Sequence, residues 1–138
     1  MSENLDSFTK QYIATALWSS TDDNDQPLDK NYDASNLSDS ALQRIVQDCQ
    51  AFQEQAAGQV DANGVGLMTP DNLLRAYASD GDWLGSFGHD FWLTRNGHGA
   101  GFWDGDYSEP AATVLTELSK TFGESYLYVG DDGKLYAS

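Results

Sequence analysis

Phe91-Trp92-Leu93-Thr94-Arg95-Asn96-Gly97-His98-Gly99-Ala100-Gly101-Phe102-Trp103-Asp104 is the stretch whose reading decides the fold. Asn-Gly between two aromatic runs is a strong hairpin signal, because a type I′ turn needs positive φ at both central residues. The spacing predicts two short strands joined at Asn96-Gly97. With a two-residue turn, Arg95 faces His98, Leu93 faces Ala100, Phe91 faces Phe102 and His89 faces Asp104, all on one face. Asp90, Trp92, Thr94, Gly99, Gly101 and Trp103 share the other, with the Trp92 indole expected over the strand glycine Gly101. Burial of at least one of Trp92 and Trp103 is the favoured expectation; if both are exposed, they form an aromatic patch that marks a binding surface.

Around this block the chain alternates apolar stripes with polar breaks. Leu5, Phe8, Tyr12, Ile13, Ala16 and Leu17 lie on one helical face, predicting a helix over 5–18. A polar loop from Ser19 to Pro27 ends it, and 28–37 has no clear period. Ser38 is a good N-cap for a second helix, whose stripe is Leu42, Ile45, Val46, Cys49, Phe52 and Ala56, with Gly58 as its stop. Asp61-Ala62-Asn63-Gly64 reads as a turn. Thr69-Pro70-Asp71 is expected to open a third helix that buries Leu73, Leu74 and Tyr77. Glu109-Pro110 opens a fourth, with Val114, Leu115, Leu118 and Phe122 inward and Gly123 at its end. Tyr126-Leu127-Tyr128-Val129 and Lys134-Leu135-Tyr136 flank Gly130-Asp131-Asp132-Gly133 as a second hairpin. The expectation is an α+β fold of order αααββαββ: about four helices packed on an antiparallel sheet of two β-hairpins, in a single domain over 1–138.

Charge is the second strong signal. Seven Lys and Arg face 22 Asp and Glu, a net charge of −15 in 138 residues. Asp favours caps and turns, so much of this charge is expected in loops. Duplex DNA carries one charge per ~1.7 Å of axis, so fifteen charges match about 25 Å of duplex, the scale of a domain this size. Such a surface repels nucleic acid and anionic membranes and attracts basic partners. Solubility alone, or a salty cytosol, explains the same charge; the eight Gln and seven Asn weigh against the latter. No apolar run is long enough to span a membrane. Met1-Ser2-Glu3-Asn4 lacks the basic start of a signal peptide, so the protein is expected in a cytosol. A lone cysteine, Cys49, allows no internal disulfide and is expected to be inert core.

The run from Gly88 to Asp104 resembles a motif of small acidic proteins from bacteriophages and plasmids. Ala14-Thr15-Ala16-Leu17-Trp18-Ser19-Ser20 and Tyr128-Val129-Gly130-Asp131-Asp132-Gly133 are similar to other recurring blocks of that family. The family has no assigned activity, so no catalytic residues carry over. What the resemblance implies is a phage or mobile-element origin and a role inside an infected bacterial cell.

Chemistry in the sequence is sparse. His89 and His98 would sit about four residue steps, ~13 Å, apart along the predicted ladder, too far to share a metal. His89 with Asp104 is expected to be a structural pair. Arg95 and His98 flank the turn, where a phosphate or carboxylate would be held; a solvated turn edge is the plainer expectation. Gly97, Gly99 and Gly101 alternate within a strand and do not form a phosphate loop. Asp22-Asp23-Asn24-Asp25 lacks the glycine and terminal glutamate of a calcium loop.

These readings converge on an expected role without catalysis, metal or cofactor: a phage accessory protein that binds and inhibits a host protein through an acidic, DNA-mimic-like surface. The expected partner is a host protein with a basic surface, of the defence or nucleic-acid-binding kind, in the host bacterial cytoplasm; nucleic acid itself and membranes are not expected partners. The expected surface is Asp22, Asp23, Asp25, Asp29 and Asp33 in the first loop, with Asp80, Asp82, Asp104 and Asp106 around the aromatic block. Two alternatives stay open: a ligand- or phosphate-binding protein or enzyme using Trp92, Arg95, His98 and Trp103, and a structural or assembly protein.

Overall fold

Asp6 starts the first element, because its carboxylate accepts the Thr9 amide at 2.8 Å and so satisfies one orphan donor of a helix N-terminus. The structure, a computed structural model, describes residues 5–22, 24–60, 62–64, 66–68, 83–97, 101–102 and 107–138. Helix α1 runs Ser7–Ser19 and buries Phe8, Tyr12, Ile13, Ala16 and Leu17. Two 3₁₀ turns, Leu28–Lys30 and Ala34–Asn36, carry the chain to α2, Asp39–Ala57. There Ser38 Oγ accepts the Ala41 amide at 3.1 Å, and the buried stripe is Ala41, Ile45, Cys49, Phe52 and Ala56. Both helices match the sequence expectation to within two residues at each end.

The aromatic block does not. Residues 83–95 form a third helix, α3 (Trp83–Arg95), so the strand expected from Phe91 to Arg95 is helical. Asn96-Gly97 is the end of that helix: the Gly97 amide donates to the Thr94 carbonyl at 3.2 Å, and Gly97 has φ +70°. A left-handed glycine just past a helix satisfies orphan carbonyls as readily as it serves a hairpin turn. The Trp92–Gly101 pairing is likewise replaced. Gly101 has φ +147° and lies against Thr94, where an added Cβ would come within 2.2 Å of Thr94 Oγ1. Thr94 Oγ1 also accepts the Phe102 amide at 3.0 Å, which folds the chain back along α3.

α3 is buried on nearly every side, and that explains the misreading. Phe87, Phe91, Trp92, Leu93, Thr94 and Arg95 are all inside, leaving no polar stripe to mark a helical period. Its close partner is α1: a Cβ on Gly88 would meet the Phe8 carbonyl oxygen at 2.0 Å, so the two backbones touch at that glycine. Phe52 of α2 completes the centre, stacked on Phe91 with ring centroids 4.2 Å apart and also facing Phe8 and Phe102.

α4 spans Ala111–Lys120 and directs Ala111, Ala112, Leu115 and Ser119 inward. After Gly123 come β1 (Leu127–Val129) and β2 (Leu135–Ala137), an antiparallel pair with Tyr128 opposite Tyr136. The expected second hairpin is therefore present. The Ser38 amide donates to the Leu135 carbonyl at 2.8 Å, tying β2 to the start of α2 while Leu127 and Leu135 enter the core. The fold is α+β: among the described residues, four α-helices, then an antiparallel hairpin. The proposed third helix at Leu73, Leu74 and Tyr77 and the return strand from His98 to Asp104 lie outside the described residues, apart from Gly101 and Phe102.

Candidate functional site

Of the residues expected around a hairpin tip, the structure describes Trp92 and Arg95, and places both in the core. Trp92 is 3% exposed, and its indole N–H donates to Ser19 Oγ at 2.7 Å. The favoured burial of one tryptophan thus holds at Trp92; Trp103 and His98 lie outside the described residues.

Arg95 is a correction to the phosphate-holding alternative. Its Nε donates to the Gly123 carbonyl at 2.8 Å and its Nη2 to the Phe122 carbonyl at 3.0 Å. Nη1 donates to Tyr12 Oη at 3.0 Å and to Asp48 Oδ2 at 2.8 Å. The guanidinium lies 5.3 Å from the Phe91 ring centroid and 5.8 Å from that of Phe122. Burial alone would lower its pKa, but Tyr12 and Asp48 outweigh that and hold it above the ordinary value. A cation so enclosed ties α1, α2 and the turn after α4 to α3 and offers no face to an outside anion.

His89 pairs with its neighbour Asp90; Asp104, its expected partner, lies outside the described residues. His89 Nδ1 lies 2.9 Å from Asp90 Oδ1, and the Tyr107 hydroxyl donates to Asp90 Oδ2 at 2.6 Å. Asp90 is buried and fixes the His89 ring, which lies beside the exposed Trp18. The arrangement anchors the segment at 107 to α3. No cluster of three or more potential metal ligands occurs among the described residues. Cys49 is buried, and burial pushes its thiol far above the ordinary value, which makes it unreactive.

The acidic loop divides into working and free carboxylates. Asp22 Oδ1 accepts the amides of Asn24 at 2.8 Å and Gln26 at 3.0 Å, and the pairing of Thr21 with Pro27 closes the loop. Asp33 accepts the Ser35 amide at 2.9 Å and its hydroxyl, which holds the carboxyl below its ordinary value. Asp25 and Asp29 are exposed and make no side-chain hydrogen bond among the described residues. Asp25 also sits at φ 61°, the left-handed region. Asp23, Asp80, Asp82, Asp104 and Asp106 lie outside the described residues.

Sequence reasoning passed over the outer face of the C-terminal hairpin. Period-two alternation sends Leu127 and Leu135 inward and Tyr126, Tyr128 and Tyr136 outward. Tyr126 is 56% and Tyr128 51% exposed, an unusual display for large rings. Tyr128 and Tyr136 stack at 5.9 Å, and with Gly130, Asp131 and Asp132 they line an open cleft of about 330 Å³. The Tyr136 hydroxyl donates to Asp132 Oδ2 at 2.6 Å, which keeps the Asp132 carboxyl below its ordinary value and raises the phenol. The Tyr126 hydroxyl donates to Glu124, which raises that phenol. The signal was available in the alternation of tyrosine and leucine across the two strands.

Compared with known protein families, curated proteins and solved structures, the chain matches none of them.

Proposed function

We propose that this chain is a phage or mobile-element protein that acts by binding: its acidic surface engages a host protein with a basic surface and blocks the nucleic acid from it. The observation that carries the reading is how charge is divided between inside and outside. Arg95, one of only seven cations, is enclosed in the core and spent on Asp48, while the carboxylates of Asp25, Asp29, Asp131 and Asp132 stand at the surface. The net charge of −15 is therefore carried by a surface poorer in cations than the composition suggests. Such a surface draws a basic partner by long-range attraction and competes for sites that normally hold phosphates. The location that goes with this role is the host bacterial cytoplasm.

An affinity capture from bacterial lysate, washed in parallel at about 0.1 M and about 1 M salt, tests it, since the Debye length falls from ~10 Å to ~3 Å. The expected result is a nucleic-acid-binding protein retained at low salt, released at high salt, and displaced by added DNA. Capture that is indifferent to salt would sink the mimicry, and absence of any partner would sink the binding role.

A further inference from the structure

We infer that the cleft lined by the Tyr128–Tyr136 stack and the Gly130, Asp131 and Asp132 turn receives an arginine side chain from the basic partner. This rests on the reading above and names where that partner is gripped. Two rings stacked at 5.9 Å form the wall, and Tyr128 is half exposed, leaving ring surface open to a ligand. Gly130 forms the floor because a side chain there has no room: an added Cβ would lie 2.3 Å from Tyr136 Cε1. The Tyr136 ring is thus seated directly on backbone and is held at its far end by Asp132. The cleft is set before any ligand arrives, which cuts the ordering cost of binding.

Asp131 and Asp132 give the rim its charge. Asp132 Oδ1 already accepts the Lys134 amide at 3.0 Å and Oδ2 the Tyr136 hydroxyl, so its orientation is fixed while it stays ionised. Asp131 is exposed beside it. Lys134 is the one cation within the turn; it is exposed, and its charge is the smallest of the influences on Asp132. A planar cation that stacks on a tyrosine face while its edge meets a carboxylate satisfies both features at once. Guanidinium does both at once, whereas ammonium, a compact and strongly hydrated charge, has no plane to stack and no N–H edge to present beside it. The fit is to an arginine-bearing protein surface, in keeping with the charge of the whole chain.

The test is an NMR titration of the full chain with a blocked pentapeptide alternating glycine and arginine. Its lysine and citrulline counterparts serve as controls. Expected are saturable shifts at Tyr128, Gly130, Asp132 and Tyr136, weaker binding of the lysine peptide and none of the citrulline peptide. Tyr128→Ala and Asp132→Asn should each bind about tenfold more weakly, the loss of one stacking or charge-assisted contact. Both positions are exposed, and unchanged core methyl signals verify the fold. Shifts spread equally over the 22–33 loop, equal binding of citrulline, or full affinity in both variants would overturn the assignment. Lysate capture separates this failure from that of the broader reading. If Tyr128→Ala retains the partner fully, the cleft is wrong and the acidic surface stands. If the wild-type chain captures nothing while the arginine peptide still fills the cleft, the inhibitory role is wrong and the cleft stands.

Discussion

Residues 87–97 and 126–136 are built from the same vocabulary, closely spaced aromatics followed by a left-handed glycine, and they are put to opposite uses. In the first, Phe87, Phe91 and Trp92 are buried, and Gly97 at φ +70° ends a helix. In the second, Tyr126 and Tyr128 are exposed, and Gly133 at φ +80° closes a strand turn. The difference lies in what accompanies the rings. Around Phe91 every neighbour is apolar or finds an internal partner, as Tyr12 does in Arg95. On the hairpin, leucines alternate with tyrosines, and the hydroxyls of Tyr126 and Tyr136 are met by the surface carboxylates Glu124 and Asp132. Aromatic content alone does not distinguish core from binding face; the polar handle and its partner do.

The sharpest way to break the inner region is Arg95→Ala. It leaves Asp48 without its cation and strips donors from Tyr12 and two carbonyls, with an expected loss of about 3–5 kcal/mol. Arg95→Lys should recover little, because an ammonium cannot span the four acceptors. Urea unfolding midpoints at constant m-value measure both. Next comes Gly88→Ala. The added methyl meets the Phe8 carbonyl at 2.0 Å, so α1 and α3 must separate, at an expected cost of about 1–3 kcal/mol.

That contact also shows where sequence reading stops. α1 and α2 were legible because each carries an apolar stripe at helical spacing, and the second also shows its Ser38 cap. The C-terminal hairpin was legible because strict alternation surrounds a Gly-Asp-Asp-Gly turn. α3 was not, since the dipeptide that nucleates a type I′ turn also terminates a helix, and since complete burial erases the amphipathic signal. The spacing of Phe87, Phe91 and Arg95, with Gly88 and Trp92, was a helical clue, outweighed by the β-favouring run Phe91-Trp92-Leu93-Thr94. The candidate site suffered most from this. With residues 91–95 helical, Arg95 lies in the core and not at a turn tip, and the rings that face solvent belong to the C-terminal strands, where the sequence points to no site.

Paired substitutions sharpen the comparison at the glycines. Neither Gly97 nor Gly133 has an atom within 4 Å of where a Cβ would go, so Ala at either position bears the left-handed backbone penalty alone, about 1–2 kcal/mol. Equal losses at the two sites are expected if hairpin and helices unfold as one unit. A smaller global loss for Gly133→Ala, with faster amide exchange across 127–137, would mark the hairpin as a separately opening segment.

A smaller effect, visible in acid, belongs to the cap of α1. Burial raises the Asp6 pKa, but hydrogen bonds from Thr9 and Gln53 outweigh it and bring it below the ordinary 3.8. A carboxyl with a depressed folded pKa contributes stability that is present above its unfolded value and lost as pH falls through its folded value. Asp6→Asn preserves the cap and removes the titration, so wild type and variant should differ in slope below about pH 4 and run parallel above it. Parallel curves throughout would show that the Asp6 carboxylate has no special hold on the helix.

Smallest of all in stability is the change at Tyr128, and there the contrast between the two regions is most exposed to test. Truncating a ring in the core, as in Phe52→Ala, should cost about 3–5 kcal/mol because a cavity replaces stacked neighbours. Tyr128→Ala removes a half-exposed ring and one cross-strand pair, so about 0.5 kcal/mol is expected. Yet the same substitution should lose most of the arginine-peptide binding. If it instead destabilises the fold by several kcal/mol, the tyrosine stack is structural and the two regions differ less than their burial implies. A residue nearly silent in unfolding and decisive in binding is what a surface retained for recognition predicts, because nothing in the core depends on that ring.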